Sequence, residues 1–142
     1  MESINPTQAS RVWQRVRGNP PEEPTLEKLL ALEAECRRIL GVLHRNTPLR
    51  DNPLLLRLRE DSGRLCHMLL GLAMLREADV TVTAPPAVRG NPEGLIRQCH
   101  ATRQKSIALL DALSPEDRAA LKPLMDAQLL YLLELLGSLP RK

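Results

Sequence analysis

A chain of 142 residues is one domain's worth, and 43% hydrophobic with 26% charged residues is a globular composition that argues against disorder. One Trp, one Tyr and no Phe leave Leu to fill the core, a bias toward helix and away from sheet. A net charge of +3, from 20 basic and 17 acidic residues, is too balanced to indicate nucleic acid, and base stacking would need aromatics that the sequence lacks.

Residues 1–24 read as an arm. Its amphipathic stretch, Gln8 to Arg17, carries Val12, Trp13 and Val16 and stops at Gly18-Asn19-Pro20-Pro21. Trp13 is expected to pack the arm onto the main body, with a partner anchor as the alternative. The cluster Arg11, Arg15 and Arg17 reads as a solvated face, or else as a contact for an acidic partner or membrane surface. The N-terminus lacks the pattern of a signal peptide, and no run reaches the ~18 apolar residues of a membrane span. Three cysteines without framework spacing fit reduced thiols, so a cytoplasmic protein is expected.

Residues 25–142 read as four helices. The first starts at Thr25 as N-cap and fades at Asn46-Thr47-Pro48. Asn52 with Pro53 opens the second, and Asn91 with Pro92 opens the third. Ser114, Pro115, Glu116 and Asp117 open the fourth, in which Pro123 should kink or divide the helix. Short turns join helices one and two, and three and four, making each pair antiparallel. Between the pairs runs a long Pro-containing crossover over residues 79–91.

Spacings of three and four assign each helix an inward stripe. The stripes are Leu29, Glu33, Cys36, Leu40, Leu43; then Gly63, His67, Leu70, Met74; then Ile96, Cys99, Arg103, Ser106, Leu110, Leu113; and Leu121, Leu124, Gln128, Tyr131, Leu135. Each carries a polar residue near its middle, where a purely structural bundle would read Leu.

In element lengths, loop lengths and helical phase, residues 25–139 resemble the rubrerythrin-like branch of the ferritin-like superfamily. RLCHMLLGLAMLREADV, a Pro-containing crossover and IRQCHATRQKSIALLDAL are similar to that branch in rhythm. The resemblance implies an antiparallel four-helix bundle of two hairpins. It also implies a di-iron site built from a Glu on each of two helices and Glu-x-x-His on each of the other two. Laid onto this chain, those positions are Glu33 (Glu35 as fallback), Arg64 with His67, Arg103, and Gln128 with Tyr131. Glu33 and His67 match the pattern and would be the ligands if a metal were held; the other four depart from it.

The departures decide the expected chemistry. Four carboxylates that would neutralise two dications are replaced by one carboxylate and two guanidiniums. A dication about 4 Å from a guanidinium faces repulsion on the order of 4 kcal/mol per unit charge at an effective dielectric of 20. Arg cannot lose its proton to escape. No cofactor and no di-iron enzyme are expected. Arg103 instead becomes the interior cation, paired with Glu33 and hydrogen-bonded to Gln128 and Tyr131, while Arg64 escapes to solvent along its stem.

Other constellations are weaker. Cys36, Cys66 and Cys99, with His67 and His100, could offer a soft-metal site but lack CxxC or HxxxH spacing, and core packing is the simpler reading. Neighbouring Cys66 and His67 diverge on a helix and cannot act as nucleophile and base. Helix four carries Leu129, Leu130, Leu132, Leu133, Leu135 and Leu136, wider than one core stripe needs. The leading expectation is therefore a non-catalytic bundle acting by self- or protein association, through such Leu faces or through the arm. A residual metal or redox protein, and a small-molecule binder using Arg103, are the alternatives.

Overall fold

The structure, a computed structural model, describes residues 22–46, 48–80, 84–85 and 87–140. Four helices account for most of them: α1 (Glu22–Asn46), α2 (Pro53–Leu75), α3 (Pro92–Leu109) and α4 (Pro115–Gly137), with a 3-10 turn at Leu110–Ala112 between the last two. No strand occurs among the described residues, as the composition led one to expect.

Three helices start by one device. Asn52 Oδ1 accepts from the Leu54 N–H at 2.9 Å, Asn91 Oδ1 from Gly94 at 2.7 Å, and Ser114 Oγ from Asp117 at 3.3 Å. In each case Pro follows the cap, where its missing N–H costs nothing because the first N–H groups of a helix have no internal acceptor. The expected cap at Thr25 is corrected: α1 already begins at Glu22, so Thr25 lies inside it and is buried. Pro24 does not prevent this, because it falls among those same partnerless first positions. Residues 22–24 thus belong to α1 and not to the arm; the amphipathic stretch around Trp13 lies outside the described residues.

α2 ends where Glu77 turns to φ 51°. The N–H of Ala78 then reaches the Ala73 carbonyl at 2.9 Å, and that of Glu77 reaches Met74 at 3.1 Å. This paired closure satisfies two carbonyls that the helix end would otherwise orphan. Residues 76–91 carry the chain on to α3.

α1 packs against α2 and α3, and α4 packs against the same two, so α1 and α4 lie diagonally opposite, as do α2 and α3. Two apolar clusters fill the interior. One gathers Ile39, Leu40 and Leu43 of α1, Leu55 and Leu58 of α2, Leu95 and Ile96 of α3, and Leu132 and Leu135 of α4. The other gathers Leu26, Leu29 and Leu30, then Leu65 and Leu69, then Leu110 and Leu113, then Leu121 and Met125. Between the clusters, in sequence, every helix places a buried polar residue: Glu33, Ser62, Arg103 and Gln128.

The inward phase expected for α2 is corrected. His67, Leu70 and Met74 are exposed, Met74 at 80%, and the buried line is Leu55, Leu58, Asp61, Ser62, Leu65, Leu69 and Ala73. Leu lies on so much of this helix that the apolar pattern does not choose one face. In α4 the buried line runs through Met125 and Leu132, leaving Leu124 and Tyr131 half-buried at its edge. No described helix is long and apolar enough to cross a membrane.

Pro123 does not divide α4, which runs unbroken through it. Both Pro123 and Ala119, whose carbonyl lacks the donor that Pro cannot supply, are on the exposed side of the helix. Replacing Pro123→Ala restores that hydrogen bond without disturbing the core. The expected gain in unfolding free energy is about 1–3 kcal/mol, read from urea denaturation. An unchanged or lowered midpoint would mean that the proline ring packs productively.

Candidate functional site

The polar residues between the two apolar clusters form one connected group. Arg103 of α3 is wholly buried, with 0% of its surface exposed, and Glu33 of α1 is equally covered. Arg103 Nη1 donates to Glu33 Oε1 at 2.6 Å, and Nη2 donates to Oε2 at 2.9 Å. This two-pronged match of guanidinium to carboxylate is the strongest form the pair can take. Nη2 also donates to Gln128 Oε1 of α4 at 2.6 Å. The Ser62 hydroxyl of α2 donates to Glu33 Oε2 at 2.5 Å. Gln128 Nε2 closes the group by donating to the Leu58 carbonyl of α2 at 3.0 Å. That carbonyl has two lone pairs, so it can serve both its own helix and Gln128.

Nearly every polar atom of the layer is satisfied; Arg103 Nε is the one without a hydrogen-bond partner. Burial by itself works against a charged guanidinium. The hydrogen bonds to Glu33 and its opposite charge outweigh that, so the pKa of Arg103 is raised and the side chain stays charged. Cys36 and Cys99 lie in the adjoining apolar cluster, both fully buried. A hydrogen bond with Cys99, then burial, pushes the Cys36 thiol well above its usual range, against the opposing pull of Arg103. A thiol so placed stays protonated near neutral pH and is a poor nucleophile.

The pairing of Glu33 with Arg103 and the contact with Gln128, expected from the sequence, are both present. The other positions separate from them. Tyr131 does not bond Arg103; its ring lies 5.8 Å from the Arg57 guanidinium, at the edge of the bundle. Arg64 is exposed and pairs with Glu60 at 3.1 Å. His67 is exposed on α2 and does not join the layer. Both α2 positions follow from the wrong phase chosen for that helix. Glu35 is half-buried outside the layer, where it accepts from Thr102 Oγ1 at 3.3 Å and Gln98 Nε2 at 3.5 Å.

Two α2 residues were missed by periodicity. Ser62 is the actual polar intrusion of that helix. Asp61 is 1% exposed yet reaches Arg57 Nε at 3.1 Å, with Arg64 at 3.9 Å. The flanking arginines at i−4 and i+3 were the available signal for Asp61, because a buried carboxylate needs cations within one turn.

The donor set does not suit a di-metal centre. Glu33 is the one carboxylate in the layer, and both its oxygens are taken by Arg103 and Ser62. Among the described residues no three His, Cys, Asp or Glu side chains converge in a way that could hold a metal ion. The soft-metal grouping of Cys36, Cys66 and Cys99 with His67 and His100 is therefore not assembled. No family model, curated protein or solved structure matches the chain.

Removing one partner of the buried pair leaves an uncompensated charge. Glu33→Leu is expected to lower the unfolding free energy by about 3–5 kcal/mol. Adding Arg103→Met to it should recover most of the loss, since an apolar replacement of both partners is nearly neutral. Chemical denaturation of the two variants checks the coupling, and an unaltered midpoint in Glu33→Leu would disprove it.

Proposed function

We propose that this chain is a ferritin-like bundle whose protein-only polar core stands where relatives hold metal, and that it works without catalysis, by association. One observation carries the reading: the carboxylate of Glu33 is bound on both oxygens by a guanidinium and a hydroxyl, which leaves no vacant ligand for a cation.

The arrangement of the helices supports the ferritin-like plan. The C-terminal half of α1 shares a cluster with the N-terminal halves of α2 and α3 and the C-terminal half of α4. The opposite halves share the second cluster. That pattern fits neighbouring helices running in opposite directions, with a crossover long enough to travel the length of the bundle between the diagonal pair.

Association draws on exposed leucines that the core does not use. Leu130 and Leu133 of α4 are 63% and 52% exposed. Leu133 borders a groove of about 880 Å³ whose walls include Leu136, Leu139, Pro48 and Pro92. An apolar strip of this kind beside a groove is a surface that a second copy of the chain can cover. A residual metal or redox role has less behind it, because Glu33 is committed to Arg103 and His67 lies at the surface.

Light scattering on the full chain should give twice the mass of one chain, and Leu130→Lys with Leu133→Lys should return it to one. A monomer at concentrations up to about 0.1 mM, where weak dimers form, would refute self-association. Protein purified without chelator should retain no stoichiometric iron. Iron bound in a ratio that falls on Glu33→Gln would refute the protein-only core.

A further inference from the structure

A second cleft lies between α1 and α2, on the side of the bundle away from α4. It encloses about 510 Å³ and is lined by Arg37, Arg38, Gly41 and Arg45 of α1 and by Arg59 and Ser62 of α2, with Pro85 of the crossover at its wall. The hollow exists because small residues stand where longer ones would fill it. Ala34 and Gly41 lie on the α1 side, and Ser62, turned inward to Glu33, closes the floor.

The arginines of this cleft are gathered on one surface without a carboxylate partner, unlike the paired cations of the bundle. Arg57, Arg64, Arg76, Arg97, Arg103 and Lys122 each meet a carboxylate. Arg37, Arg38, Arg45 and Arg59 meet none among the described residues, and the one acid lining the cleft, Glu60, is already paired with Arg64. Four guanidiniums therefore share one concave surface without neutralisation, and a concave, low-dielectric wall concentrates their field. Beside the cleft, partial burial, then Arg59 of the cleft and Arg50 outside it, hold the His44 imidazole below its ordinary pKa, with Asp51 opposing.

We infer that this cleft binds a compact ligand carrying two or more phosphate groups. Guanidinium forks match phosphoryl oxygens in pairs, which is the reason for Arg here over Lys. Arg38, Gly41 and Arg45 share one face of α1, and four guanidiniums on one surface offer more donors than a single phosphate can take up. Arg59 approaches from α2. Among the described residues the lining holds no aromatic ring on which a nucleobase could stack, so recognition by them rests on the phosphates and not on a base. The volume is that of a small-molecule site, within the range of about 300–1,000 Å³ such sites occupy.

Gly41 allows the inference to be separated from simple charge. A Cβ at Gly41 would lie 3.2 Å from Arg45 Nη1, so the Arg45 guanidinium rests over the glycine and would have to give way to a side chain there. Gly41→Ala thus moves one phosphate-binding group without removing any charge. The same change favours the helix by up to about 1 kcal/mol, so loss of binding would not reflect unfolding.

Calorimetric titration of the full chain with tripolyphosphate and with inositol trisphosphate tests the site. Saturable binding is expected at one ligand per chain, weakened about tenfold or more by Arg38→Gln with Arg45→Gln. Gly41→Ala should weaken binding several-fold while its melting temperature holds or rises. Removing two charges elsewhere, Arg97→Gln with Lys105→Gln, should leave the affinity within about twofold, as expected for screened, distant charges. Flotation with phosphatidylcholine vesicles, with and without phosphatidylinositol bisphosphate, distinguishes a lipid headgroup from a free ligand as the source of the phosphates. The inference is overturned if neither small phosphate saturates, if the distant variant loses as much as the cleft variant, or if binding is confined to RNA or an acidic peptide.

Discussion

A guanidinium and a carboxylate held away from water must find each other, and in this bundle that requirement engages all four helices. Glu33 comes from α1, Arg103 from α3, Gln128 from α4, and Ser62 with the Leu58 carbonyl from α2. Rotation of any one helix by a single residue would withdraw its contribution and strand the rest. The apolar clusters above and below cannot impose so strict a condition. They are built mostly of Leu, with no Phe in the chain, and such cores discriminate poorly between neighbouring packings. We attribute the register of the bundle to the polar layer, and its cohesion to the leucines on either side.

What could be read from the sequence follows the same division. Cap signals are local, so Asn52-Pro53, Asn91-Pro92 and Ser114-Pro115 named three helix starts correctly. α1 and α3 carry enough exposed charge to leave one apolar stripe, and Glu33 and Arg103 fell on it. α2 was illegible in phase, because Leu54, Leu56 and Leu70 compete with Leu55, Leu58 and Leu69 for the inner face. That ambiguity misplaced Arg64 and His67 and concealed Asp61 and Ser62. Tyr131 was misplaced for a related reason: α4 carries Leu on several sides, and the buried line passes beside the ring. Thr25 failed as a cap because α1 already begins at Glu22, and the proline at position 24, in a first turn, does not obstruct it. The basic cleft was hidden for a different reason. Its arginines lie on two helices, and the sequence does not say which surface arginines lack a carboxylate neighbour.

The cleft and the exposed α4 leucines are well separated. α1, which supplies three of the four unpaired arginines, stands diagonally across the bundle from α4. A phosphate-bearing ligand and a second copy of the chain could therefore be held together without competing for surface. Ser62 gives the two halves of the interior a physical link: it closes the floor of the cleft and donates its proton to the same carboxylate that anchors Arg103.

The way the polar layer is shared along the chain has one more consequence. Everything before the crossover contributes the anion and its hydroxyl donor, Glu33 and Ser62; everything after it contributes the cation and its amide acceptor, Arg103 and Gln128. Each half of the molecule, taken alone, would therefore expose a charged inner face of one sign to the half that bears the other. Each half thus depends on the other to pair the charge it buries. Glu33 can leave water at low cost only once Arg103, seventy residues further along the chain, is in place beside it.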